Sequence, residues 1–266
     1  MRALILAASL GLFSITTSAH SHEFWIDPER FFVNPGAPVR ADLRTGENFR
    51  GGPSPFLPNR FRRFEIAGDA GFIPVESTIG DRPAMNQPLA DGLAVIVHET
   101  QDFTLTYQEF AKFEKFAAHK DAEWVIDAHK ARGLPETGFG EVYSRYAKSL
   151  VSVGSGTGSD RAVGLKTEIV ALANPYTDDL SQGMPVRVLY LEAPRAEAQV
   201  EVFEEAPSGA VRVFLLKTDA RGEVRVPVRP GHTYMLDSVV LRKPSNPAGG
   251  EVWESLWANL TFAVPN

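Results

Sequence analysis

Alternating apolar and polar residues run along most of the chain and predict β-strands. In the first half the alternation is clear over residues 37–44 and returns over 60–66 and 93–98. The second half repeats it in short segments at near-regular spacing, over 185–191, 198–203, 211–217, 223–228, 233–241 and 253–264. Short strands separated by turn residues at such spacing are typical of immunoglobulin-like or transthyretin-like β-sandwiches.

Residues 108–132 break this alternation and predict helices. The segment contains no Gly or Pro, and Phe110, Phe113 and Ala117 recur at three- and four-residue spacing. Gly133 follows the segment directly, as expected at a helix end. We therefore expect a small helical insertion here.

A second helical stretch is predicted over 139–149 from the four-residue spacing of Val142, Tyr146 and Leu150. Residues 154–159 are rich in Gly and Ser and indicate a linker or mobile loop. The predicted protein is mainly β, with two β-sandwich domains. Residues 20–160 form the first, which carries the helical segment at about 108–150, and residues 161–266 form the second.

The amino terminus has the pattern of a secretory signal peptide. Arg2 precedes an apolar run over residues 3–15 that is too short to span a bilayer, and small residues follow. Cleavage after Ala19 or after Ser21 fits the small-residue rule, so the signal peptide is predicted to cover 1–19, with 21 as the alternative end. The mature protein is then periplasmic, without a membrane span.

Composition limits the chemistry available to such a protein. The chain contains no cysteine, so a metal site must use histidine, carboxylate or amine ligands. The formal net charge is −6 and no basic stripe is present, which argues against a nucleic-acid partner.

Either cleavage makes a histidine the first residue and creates a metal chelate. Cleavage after Ala19 leaves His20 first and His22 third, so that an amine, two backbone amides and an imidazole can form a square-planar site suited to copper(II) or nickel(II). Cleavage after Ser21 leaves His22 first, and its amine and ring nitrogen chelate together with other side chains. The apolar residues behind it, Phe24 and Trp25, are expected to anchor a first strand in the core.

Three residues further along the chain are candidates to complete the site. His98 ends an apolar strand, and Asp237 and Glu254 each fall on the apolar face of a predicted strand. A buried carboxylate needs a partner or changes its pKa. An ion pair with an arginine such as Arg242 is the structural explanation, and a role as an oxygen ligand is the functional one. We expect His119 and His129 on the surface.

Trp253 and Trp257 share the strand face opposite Glu254. An exposed pair of tryptophans would form a sugar-binding or partner surface, whereas a buried pair would form an internal interface.

Sequence signatures of catalysis are missing. The chain has no Gly-x-Ser-x-Gly elbow and no phosphate-binding loop followed by lysine, so we expect no enzyme activity. A copper redox enzyme remains a rival, since a terminal histidine brace would need only His98 or His232 as its second ring.

Several segments together resemble a known family. They are His22-Glu23-Phe24-Trp25-Ile26, Leu105-Thr106-Tyr107, Tyr143-Ser144-Arg145-Tyr146-Ala147-Lys148, Asn174-Pro175-Tyr176, Tyr234-Met235-Leu236-Asp237 and Trp253-Glu254-Ser255-Leu256-Trp257-Ala258. The family is bacterial, periplasmic and of unknown function, and is often described as the periplasmic component of an ABC-type cobalt transport system. The resemblance implies an association with nickel and cobalt uptake and a mature chain that begins at His22.

The leading hypothesis is a periplasmic, non-enzymatic protein that binds nickel or cobalt, with copper as a further candidate, and serves a membrane metal transporter. His20 and His22 are its expected ligands, with His98, Asp237 and Glu254 as further candidates. The alternative is a cell-envelope interaction or glycan-binding module that uses Trp253 and Trp257.

Overall fold

The computed structural model describes residues 22–68, 71–245 and 249–266. The strands and helices before the middle of the chain are β1 Glu23–Pro28, β2 Phe32–Val33, β3 Pro38–Glu47, β4 Arg50–Ser54, β5 Phe61–Gly68, β6 Gly71–Pro74, β7 Met85–Pro88, β8 Gly92–Thr100, β9 Phe103–Tyr107, α1 Phe110–His119 and α2 Trp124–Ala131. Those after it are β10 Phe139–Val153, β11 Thr167–Ala171, β12 Met184–Tyr190, β13 Ala193–Pro194, β14 Gln199–Glu205, β15 Val211–Lys217, β16 Glu223–Val226, β17 Thr233–Arg242 and β18 Glu251–Ala263.

In the described part of the chain these strands form three sheets. The central sheet has the order β15-β14-β17-β18-β10-β8-β5-β6, and β2 and β9 also pair with β10. The amino-terminal sheet has the order β1-β3-β4, with β7 on β3. The outer sheet has the order β11-β12-β13, with β16 on β12. The expected architecture is confirmed: it is mainly β and sandwich-like, with a small helical insertion.

The two predicted halves of the chain share the central sheet. The predicted boundary at residue 160 lies between β10 and β11, yet β10 pairs in parallel with β18, from Glu141 opposite Trp253 to Ser149 opposite Thr261. The hydrogen-bonded ladder of one sheet therefore crosses the boundary.

Each face of the central sheet is covered by a different layer. On β18, Leu256, Leu260 and Phe262 pack with the outer sheet in one core. The alternate residues, from Trp253 to Thr261, face the amino-terminal sheet and the helices, and we call this side of the central sheet the helix face. Because β10, β17 and β18 are covered on both sides, their buried residues include many polar ones.

The helix predicted over 139–149 is wrong, because these residues belong to β10. A spacing of four is also a multiple of two, so Tyr146 and Leu150 fall on one face of a strand just as they would on a helix. Ala147 and Val151 are buried on the opposite face, in the core under the amino-terminal sheet. Burial on both sides removes the polar alternation that would have indicated a strand.

The helices predicted over 108–132 are confirmed as α1 and α2. A residue with a left-handed backbone, Asp121 at φ 55°, separates them. Their buried side chains pack on the helix face, where Phe113 stacks on Trp253 at 5.8 Å between ring centroids. No helix of the described residues has both the length and the apolar character needed to cross a membrane.

The Gly/Ser-rich segment at 154–159 is tied to the body of the protein. Its Thr157 carbonyl accepts a hydrogen bond of 2.7 Å from the Leu93 amide. The Asn174 side-chain amide donates to the carbonyls of Gly156 and Gly158, at 2.7 and 2.9 Å. These bonds give the segment a fixed place against β8, in contrast to the predicted mobile linker.

Candidate functional site

His22 and His98 line one cavity between the amino-terminal sheet and the central sheet. We call it the histidine cavity, and its volume is about 360 Å³. The His22 side chain is 39% exposed, and its Nδ1 lies 3.2 Å from a Glu47 carboxylate oxygen. The cavity therefore reaches the surface where the described chain begins. His20 lies outside the described residues.

The His98 ring is fully buried among aromatic side chains. Its centroid lies 4.9 Å from that of Phe24, 5.3 Å from Phe61 and 5.1 Å from Phe64. Its Nδ1 has no hydrogen-bond partner. Burial lowers the pKa of His98 to about 3, so the ring is neutral at physiological pH and its nitrogens carry no competing second proton.

Arg145 is the buried cation of the histidine cavity. It extends from β10 on the helix face and is 7% exposed. Its guanidinium lies 4.7 Å from the ring centroid of Tyr143, and Nη2 donates a 3.0 Å hydrogen bond to the His22 carbonyl. Its Nε has no partner, and no carboxylate of the described residues lies within 4.0 Å of it.

Asp237 lies elsewhere on the helix face, in a cluster around Lys120 at the end of α1. The Lys120 ammonium lies 2.6 Å from Glu201, 3.2 Å from Asp237 and 3.4 Å from Glu23. Strand register places Glu201, Asp237 and Asn259 side by side on β14, β17 and β18. Asp237 is therefore paired with a lysine, and His98 lines another cavity.

The ionisation of this cluster is set by burial and by mutual attraction. Burial raises the pKa of Asp237 to about 7, although Lys120 opposes the rise. Burial also raises the pKa of Glu23, whereas hydrogen bonds from His119 and Lys120 outweigh burial and lower that of Glu201. Burial alone would lower the pKa of Lys120, but the three carboxylates raise it.

The Lys120 cluster forms the floor of a second cavity of about 480 Å³, which we call the lysine cavity. Its charged lining is mixed, with Glu23, Glu47 and Glu201 against Lys112, Lys115 and Lys120. His119 also lines this cavity and pairs with Glu201, so the three carboxylates face cationic partners within the cavity itself.

A buried hydrogen-bond network lies beneath the lysine cavity. The Tyr107 hydroxyl donates to Glu141 at 2.9 Å, and the Ser255 hydroxyl donates to the other Glu141 oxygen. The Trp257 indole N–H donates to Ser255 at 2.9 Å. Burial raises the pKa of Glu141 to about 7, although the hydrogen bonds from Ser255 and Tyr107 and the attraction of Arg145 oppose the rise.

Glu254 faces the opposite side of the central sheet and has the structural role. One carboxylate oxygen accepts a 2.8 Å hydrogen bond from Arg242 Nε, and Lys166 lies 3.9 Å from the other. The register of β17 and β18 places Arg242 directly opposite Glu254. The sheet itself separates this pair from His22 on the helix-face side.

Trp253 and Trp257 do not form the predicted partner surface. They are 0% and 1% exposed, because α1 covers them. Phe116 stacks on Trp257 at 5.7 Å between centroids, and the Trp253 N–H donates to the His129 ring at 3.0 Å. The tryptophans are an internal interface, and His129 is buried with them in contrast to its predicted surface position. His119 is half-exposed, as expected, and pairs with Glu201.

The described side chains offer a metal ion only part of a ligand set. Among residues 22–68, 71–245 and 249–266, no three His, Asp or Glu side chains lie close enough together to hold a metal. The histidine cavity supplies imidazole nitrogens, which suit nickel, cobalt and copper. The described side chains alone therefore do not complete a metal site.

Sequence reasoning missed the buried charges that organise both cavities. Glu201 lies between Val200 and Val202 in an apolar strand, and the alternation that singled out Asp237 could have found it. Nothing in the sequence indicated that Arg145 is buried, because a helix was predicted where β10 lies. No local signal marks Lys120, since its partners are far away along the chain.

Comparison with known proteins identifies a family and little else. A crystal structure of a tetra-tandem repeat in the extending region of a large adhesion protein shares 11% identity over 90% of this chain. The TM-score is 0.21, and the chain spans about half (49%) of that protein's length. No curated protein matches. A family profile matches residues 19–241, which include both cavities but not β18. The chain therefore belongs to the family of the domain of unknown function DUF4198.

Proposed function

We propose that this protein binds a divalent transition metal ion, nickel or cobalt, at the histidine cavity, without catalysing a reaction. It would act in the periplasm, after removal of the leader, and hold the ion for a membrane transporter. The observation that carries the proposal is that His22 and His98, far apart in the sequence, line the same cavity.

The state of His98 supports its role as a ligand. A metal ligand must be the neutral imidazole, and the lowered pKa keeps His98 neutral across the physiological range. Its Nδ1 has no hydrogen-bond partner. A buried ring nitrogen without a partner is costly, and a bound ion would remove that cost.

The position of His22 adds the second imidazole and the chain terminus. Its carbonyl is fixed by the hydrogen bond from Arg145, so the residue is attached to the body of the protein. Cleavage before His22 would create an α-amine on the residue that lines the cavity. An amine and ring nitrogen from one histidine form a chelate, and His98 would add a third nitrogen.

Calorimetric titration of the mature protein with nickel, cobalt and copper tests this proposal. Two versions are needed, one that begins at His20 and one that begins at His22. We expect stoichiometric binding of nickel or cobalt, with at least tenfold weaker binding in His98→Ala and in a version that carries Gly-Ser before His22.

The Gly-Ser extension keeps every side chain and displaces only the α-amine, so it separates the chelate from the fold. His232→Ala is the matched control, because His232 lies away from the histidine cavity. Affinity weaker than about 10 μM for all three metals, roughly −7 kcal/mol, would contradict the proposal.

The alternative of an envelope-interaction or glycan-binding module loses its main support. It relied on an aromatic surface at Trp253 and Trp257, and both side chains are buried.

A further inference from the structure

The histidine cavity has an electrostatic character that a bare metal ion does not match. Arg60 and Arg145 both line it, whereas none of the described Asp or Glu residues does. A divalent cation would be repelled by these two guanidinium groups. The lining suits a ligand that carries negative charge.

Arg145 contributes most to the positive charge of the histidine cavity, because it is buried and forms no ion pair with the described residues. A buried ion without a counter-ion is strongly unfavourable, and arginine cannot lose its charge in a protein. Arg145 is 7% exposed, and the carboxylates that attract it, among them Asp237 and Glu23, lie more than 4.0 Å away. Both of those carboxylates already contact Lys120.

One donor of Arg145, its Nε, is unused in a residue that lines the cavity. Nη2 is used by the His22 carbonyl, but Nε has no partner. The planar guanidinium group matches the geometry of a carboxylate, to which it can donate two parallel hydrogen bonds. Arg60, over the Phe103 ring at 4.9 Å, is exposed at the rim and adds a second positive group.

We propose that the histidine cavity binds a carboxylate-bearing molecule through Arg145, with Arg60 at its rim, so that the metal enters as a carboxylate chelate. The metal part of this inference rests on the proposed function. The carboxylate part stands without it. Carboxylate oxygens would supply donors that the described side chains lack, and their negative charge would neutralise Arg145.

The direction in which malonate changes the affinity for nickel tests this inference. Nickel binding to the mature protein that begins at His22 is titrated in chloride and in increasing malonate. An ordinary chelator competes and weakens nickel binding, whereas a co-ligand strengthens it. We expect at least tenfold tighter nickel binding in malonate and no such gain in malonamide, its neutral analogue.

Variants locate the effect. Arg145→Gln should abolish the gain, Arg60→Gln should reduce it, and Arg212→Gln should leave it unchanged because Arg212 is half-exposed and pairs with Glu204. Should Arg145→Gln fail to fold, the wild-type and Arg60→Gln titrations still decide the matter. Nickel binding that malonate only weakens, or a gain that survives in Arg145→Gln, overturns the inference.

A titration with malonate in the absence of metal distinguishes this inference from the proposed function. Malonate binding that depends on Arg145, without nickel binding in any version, supports the carboxylate site and contradicts the metal proposal. Nickel binding that depends on His98, without any response to malonate, supports the metal proposal and overturns the carboxylate site.

Discussion

Two buried cations on the helix face of the central sheet have opposite surroundings. Lys120 is enclosed by the carboxylates of Glu23, Glu201 and Asp237, all within 3.4 Å. Arg145, on β10, has a ring, a carbonyl and an unused Nε. The first group is neutralised by the protein itself, and the second is not.

The difference distinguishes a structural charge from one available to a ligand. Lys148, on the other side of the sheet, follows the first pattern, with Asp160 at 2.8 Å and Glu168 at 2.9 Å. These two lysines show that the fold can surround a buried cation with carboxylates. No described carboxylate contacts Arg145 in this way, so the proposed anion site lies in the histidine cavity and not in the lysine cavity.

The largest expected effect comes from removing the paired cation. Lys120→Met would leave three carboxylates together in a buried site, and we expect a loss of about 3–5 kcal/mol in the free energy of unfolding. Urea denaturation measures it. Lys115→Met, an exposed position on the same helix, is the control and should change stability by less than about 0.5 kcal/mol. Equal effects of the two substitutions would show that the cluster contributes no special stability.

A buried charge without an ion pair can also be relieved by protonation, and Glu141 tests this route. Its pKa in the folded protein is about 7, above its ordinary value of 4.5. Its stabilising contribution is therefore complete below about pH 4.5 and is lost as the pH rises through 7. Glu141→Gln removes the titration, so its stability relative to wild type should rise by about 3 kcal/mol between pH 4 and pH 9.

Urea denaturation at several pH values measures the difference between Glu141→Gln and wild type. Exposed Glu136 supplies the control, since Glu136→Gln should show a difference independent of pH. A flat profile for Glu141→Gln would mean that the carboxylate is not neutralised by its surroundings. Arginine has no such route, which is why the unpaired Arg145 calls for an anion.

Ligand-induced stability is the next effect in size. Malonate at a hundred times its dissociation constant should raise the free energy of unfolding of the protein that begins at His22 by about 2.7 kcal/mol. No such stabilisation is expected from the lysine cavity, because its lysines face carboxylates of the protein. Thermal unfolding of wild type and Lys115→Met should show the same stabilisation, and Arg145→Gln should show none. A shift that vanishes in Lys115→Met would place the anion in the lysine cavity.

The smallest expected effect is that of removing Arg145 in the absence of ligand. Arg145→Met deletes a buried charge without an ion pair together with its hydrogen bonds, and these opposing terms leave a change of less than about 1 kcal/mol. The loss of stability should therefore be much smaller for Arg145→Met than for Lys120→Met. A loss as large as that of Lys120→Met, measured by the same denaturation, would mean that Arg145 is a structural residue.

Much of the fold and part of the site could be read from local patterns. The two-residue period marked most strands, placed Asp237 on a buried face and set Glu254 apart from the tryptophans. The same period failed on β10, since a strand covered on both sides has no polar face to alternate with. It also could not tell whether Trp253 and Trp257 would be covered, because that depends on where α1 packs.

The sequence by itself determined which residues occur on strands, which face each side chain shares and which ligand types are available in a chain without cysteine. Only the tertiary structure decided that His98 lines the same cavity as His22 and that Lys120 contacts three carboxylates. It also decided that no carboxylate of the described residues lies within 4.0 Å of Arg145. The physical reason is the distance along the chain over which each signal acts. Periodicity acts over neighbouring residues, whereas the pairing of β10 with β18 and the placement of β1 on the central sheet join segments far apart in the chain. Buried charges are matched, or left unmatched, by those distant contacts.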